Sequence, residues 1–201
     1  MARKNSLSLR ARFWRLVKSV LDPRAYIHML KLLNFYNYSH VAPLRRIERG
    51  THVHISPSVW FAEPERIRIG SHVHLGGRCM IWAGASHGRI EIGDFALFGP
   101  RVMVTAANYR YNDGHPVTDQ DMDEADVIIG RDVWIATGAV ILPGTLLHDG
   151  CIVAANSVVR GEFPPMSVVA GAPARVVSSR RTGTEDRDAF FTALDEGNTC
   201  R

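Results

Sequence analysis

The sequence predicts an all-β solenoid, a parallel β-helix, from three observations. The first is a period of six. Aliphatic or aromatic residues recur as Ile69, Leu75, Ile81, then Ile92, Phe98, Val104, then Ile129, Ile135, Ile141, Leu147, Val153 and Val159. Ile55 and Phe61 keep the same step. An α-helix repeats at about 3.6 residues and a half-buried strand at about 2, so a sustained six fits neither. It fits short flat sides joined by corners, each side turning one large residue into a narrow interior.

The second observation is the company these residues keep. Four positions after most of them stands a smaller residue: Val73, Cys79, Ala85, Ala96, Val102, Val133, Ala139, Thr145, Cys151 and Ser157. Glycine directly follows Ile69, Ile92, Phe98 and Ile129, which this reading assigns to corner geometry that a Cβ would resist. Stacked coils bury the aliphatic ladder continuously, and no coil is stable alone.

The third observation is where the register breaks. Two extra residues separate Phe61 from Ile69, five separate Ile81 from Ile92, nineteen separate Val104 from Ile129, and four separate Val159 from Val169. Insertions into a solenoid must leave it as loops, and a long excursion from a strict repeat is usually functional. The chemistry is therefore expected near residues 105–128.

Three units follow: a basic helical arm and cap over 1–50, the β-helix over 51–177, and a tail over 178–201. Residues 7–33 read as helical, with Asp22-Pro23 as a break, and are expected to cap the open end of the repeat. The competing reading is an amphipathic helix at a membrane surface. A short helix is expected over 187–196. Residues 1–50 carry eleven Lys/Arg against Asp22 and Glu48, whereas the other 151 carry thirteen against eighteen Asp/Glu. Such asymmetry marks either a polyanion- or membrane-binding arm or a basic helix docked on an acidic body. With 201 residues, 46% of them hydrophobic, the chain suits one domain with appendages. No transmembrane helix or secretory leader is expected. Cys79, Cys151 and Cys200 are odd in number and in no metal-ligand spacing, which fits reduced thiols in a cytoplasmic protein.

Three segments carry a resemblance: Ile129-Gly130-Arg131-Asp132-Val133-Trp134-Ile135, Ile141-Leu142-Pro143-Gly144, and Val168-Val169-Ala170-Gly171-Ala172-Pro173-Ala174. Together with the hexads they resemble the hexapeptide-repeat acyltransferases, which are left-handed β-helices. The likeness is strongest to the galactoside and maltose O-acetyltransferase branch and its relatives acting on bacterial surface polysaccharides. The resemblance implies a homotrimer with active sites between subunits. It also implies transfer of an acetyl group from acetyl-CoA, as co-substrate, to a sugar hydroxyl, without metal. Carried over position by position, coenzyme A contacts fall on Trp134, Thr137, Ala155, Arg160 and Arg175, the arginines suiting a 3′-phosphate.

The family's usual catalytic histidine follows an asparagine at the start of the long loop. Here the pair reads Asn108-Tyr109. A phenol, with an ordinary pKa of about 10, is a poor general base at neutral pH, though it can donate a hydrogen bond to an oxyanion. Two histidines are alternative bases: His87, in the five-residue insertion, and His115, in the long loop. The ranking is His87, His115, Tyr109. Asn108, Asp113 and Gln120 are candidate acceptor ligands; of Asp119, Asp121, Asp123, Glu124 and Asp126, one could orient a histidine or bind a sugar hydroxyl, while most read as a solvated face.

Rival readings are N-acylation of a nucleotide-linked amino sugar and a trimeric binding protein that has lost catalysis. A zinc-dependent carbonic anhydrase needs three imidazoles on one metal. His52-Val53-His54 and His72-Val73-His74 turn valine inward and histidine outward, without that arrangement. No nucleic-acid reader fold is recognisable.

Overall fold

The computed structural model describes residues 8–180 and Thr192. The helix expected over 187–196, apart from Thr192, and Cys200 lie outside the described residues. Two helices come first, α1 (Leu9–Leu21) and α2 (Pro23–Tyr36). The Ser8 hydroxyl accepts from the Ala11 N–H, and the Asp22 carboxylate accepts from the Arg24 N–H with Pro23 at the first helical position. These are ordinary N-terminal signals.

Six coils follow. The first holds β1 (Glu48–Arg49), β2 (His54–Ile55) and β3 (Trp60–Ala62); the second, β4 (Ile67–Ile69), β5 (His74–Leu75) and β6 (Met80–Trp82). The third holds β7 (Ile90–Ile92), β8 (Leu97–Phe98) and β9 (Met103–Thr105). The chain then leaves the prism as an antiparallel hairpin, β10 (Ala107–Tyr109) and β11 (Met122–Glu124). It returns with β12 (Val127–Ile129), β13 (Trp134–Ile135) and β14 (Val140–Ile141), then β15 (Leu146–Leu147), β16 (Ile152–Val153) and β17 (Val158–Val159). A last partial coil has β18 (Glu162–Phe163) and β19 (Ser167–Gly171), on which β20 (Ala174–Ser179) folds back antiparallel.

The strands stack into three faces. Face A runs β1-β4-β7-β12-β15-β18, face B runs β2-β5-β8-β13-β16-β19-β20, and face C runs β3-β6-β9-β14-β17. Rungs are in register, for example Leu75 opposite Phe98 and Phe98 opposite Ile135. All twelve residues of the period-six series from Ile69 to Val159 are at most 3% exposed. Of the smaller series only Ala85 fails. It is exposed, because the insertion begins at once after β6 and carries it off the prism.

Glycine's role at the corners differs from the expectation. Gly70, Gly93 and Gly130 do not have positive φ; that conformation falls two residues later, on His72, Phe95 and Asp132. What excludes a side chain is the next coil: a Cβ at Gly93 would lie 2.7 Å from the Gly130 carbonyl carbon, and one at Gly99 2.7 Å from the Thr137 nitrogen. The polar groups of the corners satisfy one another, as where Asp94 accepts from the Ser71 N–H at 2.7 Å and Asp149 from the Arg131 N–H at 2.8 Å. The outward histidines stack along the coils, His52 on His72 and His72 on Phe95, each at 4.7 Å between centroids.

The cap is not where the pattern placed it. No residue of α1 or α2 is buried. The solenoid end is closed instead by the next segment, in which Ser39, Pro43 and Ile47 are buried and Leu44 packs on the core. His40 Nδ1 lies 2.8 Å from the Val59 carbonyl oxygen, fixing that segment to the first coil.

Candidate active site

The insertions after Phe61, Ile81 and Val104 leave the prism at one edge, where face C turns into face A; the break between Val159 and Val169 is no loop, because β18 continues face A within it. The Pro64–Arg66 turn, the 83–89 insertion, the 106–126 excursion and the Leu142–Gly144 corner occupy this edge in successive coils. The long excursion is built, not loose. Ala107, Asn108 and Tyr109 pair with Glu124, Asp123 and Met122. At its tip the Gln120 side chain is spent on the loop itself, accepting from the Asp113 N–H at 3.1 Å and donating to the His115 carbonyl. Gln120 is buried and staples the loop, its amide turned to loop backbone and not to the exterior, where an acceptor ligand was expected. Asn108 and Asp113 stay exposed.

The junction of hairpin and insertion is held by a set of hydrogen bonds centred on Glu124. Glu124 reaches from β11 to the 83–89 insertion, and its side chain is 1% exposed. Oε1 accepts from the N–H groups of Ala85 (2.7 Å) and Ser86 (2.8 Å), and Oε2 from those of His87 and Gly88 (2.6 Å each). Burial pushes the carboxyl upward, but the four backbone donors outweigh it and bring its pKa down to about 2. From the other side, Arg66 donates to the carbonyls of Gly84 and Gly88. The insertion is thus held by both ends of its peptide groups, acceptors by a guanidinium and donors by a carboxylate. Gly84, at φ +85°, would bring a Cβ to 2.9 Å from the Glu124 carboxyl carbon.

This clamp presents His87. Its ring is exposed, with Nδ1 2.9 Å from the Ser86 hydroxyl and 3.5 Å from Glu124 Oε2. It lines a groove of about 400 Å³ with Arg66, Arg68 and Arg89. Tyr109 lines a different groove, of about 480 Å³, with Asn108, Tyr111 and Arg160. Glu124 belongs to the lining of that second groove and touches the first through His87. His115 is exposed at the far end of the hairpin.

The expected coenzyme A residues divide. Trp134 stands on the outer surface of face B, 46% exposed, and Arg175 on β20 at the end of the same face. Thr137 and Ala155 occupy the corner where B turns into C, in neighbouring coils joined by the Asn156 N–H to the Thr137 carbonyl at 3.0 Å. Arg160 does not join them. It stands at the far edge of face C, beside Asn108 and Tyr109.

Glu124 and Arg66 were not singled out from sequence. The signal that finds them is an accounting of backbone groups: the Ala85–Gly88 insertion has left the ladders and still needs partners for its N–H groups.

Residues 126–161 match the bacterial transferase hexapeptide family, a model of six repeats. The structure aligns with galactoside acetyltransferase in complex with coenzyme A at a TM-score of 0.65 and 25% identity, over 81% of this chain and 82% of that one. The chain carries the hexapeptide repeat of this family and resembles its acetyltransferases in sequence and fold. Among curated relatives of this family, a probable acetyltransferase of Mycobacterium tuberculosis is 33% identical over 178 residues, 87% of this chain and 58% of that protein. The chain thus spans little more than half of that relative's length. WbbJ of Escherichia coli, provisionally named a lipopolysaccharide biosynthesis O-acetyl transferase, is 28% identical over 82% of this chain and 87% of its own.

Proposed function

We propose that this hexapeptide-repeat protein transfers acetyl from acetyl-CoA to a sugar hydroxyl in the synthesis of a cell-surface polysaccharide. The observation that carries the reading is the built hairpin over the C-to-A edge, in a prism whose solved relative binds coenzyme A. The reaction needs a base for the hydroxyl proton and a donor for the tetrahedral oxyanion. His87 is assigned the first role. Its Nδ1 is oriented by Ser86 and Glu124, and it takes the proton as the acceptor oxygen bonds to the thioester carbon; the intermediate then collapses, breaking the C–S bond, and the imidazolium returns that proton to the departing sulfur, releasing coenzyme A as the thiol. Tyr109 is assigned a hydrogen bond to acceptor or oxyanion, with Asn108 and Asp113 as acceptor ligands. His115 is the second candidate base.

Within one chain the Trp134–Thr137–Ala155 edge and the His87–Tyr109 edge lie on opposite sides of face C. A cyclic trimer, in which the donor edge of one copy meets the acceptor edge of the next, would unite them. The same reading places the enzyme in the cytoplasm, at the inner face of the membrane. Thiol release from acetyl-CoA in the presence of candidate saccharides tests the proposal. Turnover with a hydroxyl acceptor is expected; turnover only with an amino sugar, or coenzyme A binding with no acceptor that supports release, refutes it.

A further inference from the structure

Among the described residues, most of the exposed large hydrophobic side chains lie on α1 and α2. In α1, Leu9, Phe13, Leu16, Val17 and Val20 fall on one stripe by helical spacing, with Trp14 and Leu21 at its margin. Arg12, Arg15, Lys18 and Ser19 fall on the other side, Arg10 lies at the apolar margin between Val17 and Leu21, and α1 contains no acidic residue. In α2, Tyr26, Met29, Leu32, Leu33 and Tyr36 make one apolar side, with Arg24, His28 and Lys31 opposite, interleaved there with Ile27 and Phe35. The solenoid covers none of this: Phe13 is 59%, Trp14 54%, Leu16 63%, Leu30 65% and Leu33 67% exposed. The two helices meet at a fixed elbow, because the Tyr26 hydroxyl donates to the Val20 carbonyl at 2.6 Å.

We propose that α1 and α2 form a docking surface for an anionic lipid bilayer, lying in its interfacial plane. This rests on the location in the proposed function and specifies how it is achieved. Two features choose a bilayer over a second copy of the chain. Six Lys/Arg stand on the two helices, and Asp22, the one acid between Leu9 and Tyr36, is turned to the start of α2 as its cap. Pairing two such arms would set cation against cation, whereas anionic headgroups complement them. The apolar stripes also carry Trp, Phe, Tyr and Leu over cationic backs, the composition suited to the headgroup–acyl boundary. At 13 and 14 residues the helices are too short to cross a bilayer.

The test is co-sedimentation of the full chain with vesicles of phosphatidylcholine and phosphatidylglycerol in a two-to-one ratio, against phosphatidylcholine alone. Binding at least about tenfold stronger to the anionic vesicles is expected, falling steeply as salt is raised. Leu16→Asp combined with Val20→Asp, and separately Arg12→Glu combined with Arg15→Glu, should each abolish it. Thermal unfolding should not move, since all four side chains are exposed. Equal binding to neutral vesicles, no binding to either, or a fall in oligomer mass on Leu16→Asp would overturn the proposal, the last by showing that the arm joins copies. Thiol release with a soluble acceptor is read in parallel, so failure of the arm and failure of the enzyme assignment are separable.

Discussion

Replacing Glu124 by Gln removes the charge at the centre of the insertion clamp while leaving its shape. The carboxylate accepts four backbone N–H groups; a carboxamide can accept two through its oxygen and turns its own N–H groups against the other two. Each orphaned donor costs about 1–3 kcal/mol, and the neighbouring exposed backbone lets water recover part of that. A loss of about 2–4 kcal/mol follows, concentrated locally. Hydrogen exchange by mass spectrometry is the assay: the amides of residues 85–88 should lose about 30-fold or more in protection while those of β13 to β17 keep theirs. Wild-type and Gln variant should also differ in acid. The folded pKa of about 2 lies below the ordinary 4.5, so the carboxylate stabilises above pH 4.5, and that contribution disappears as pH falls toward 2. The variant should lack this part of the acid sensitivity. Unchanged protection at 85–88, or an unchanged acid profile, would refute the account of the clamp.

Four further outcomes are expected. Gly93→Ala should cost about 1–3 kcal/mol in urea unfolding because its Cβ meets the Gly130 backbone, whereas Gly114→Ala, with nothing within 4 Å and a φ of +81°, should cost about 1–2 kcal/mol from strain alone. Phe98→Ala empties an interior rung that is 1% exposed and should cost about 3–5 kcal/mol by the same measurement. His87→Ala should lower kcat by about 10²-fold or more with unfolding unchanged, and His115→Ala should leave kcat near wild type; the reverse pattern would transfer the base to the hairpin tip. Tyr109→Phe, measured in the same thiol-release assay, should lower kcat by about 10²-fold through the lost hydrogen bond while leaving the pH dependence set by the base in place.

The prism was legible because one constraint repeats. Each rung must fill a narrow axis, so Ile69 through Val159 announce themselves by spacing alone, and the breaks in that spacing locate the excursions. The junction between excursions obeyed no period. Glu124 looked like one more loop acid among Asp119, Asp121, Asp123 and Asp126, since its role depends on bringing residues 36–39 positions apart into contact. The helices misled for a related reason: amphipathicity shows that a face will be covered, not by what. Glycine's function at the corners was likewise set by the adjacent coil, which for Gly93 and Gly99 lies 37 and 38 residues further along the chain.

The excursion departs after Thr105 and rejoins at Val127 with the stacking of coils uninterrupted: face A passes from β7 to β12 and face C from β9 to β14 as if nothing intervened. The scaffold is therefore indifferent to what hangs from that edge. A different hairpin could be spliced between the same two anchors, provided it carried its own latch for the Ala85–Gly88 turn, and acceptor preference could drift through such exchanges while the donor-facing edge stayed as it is.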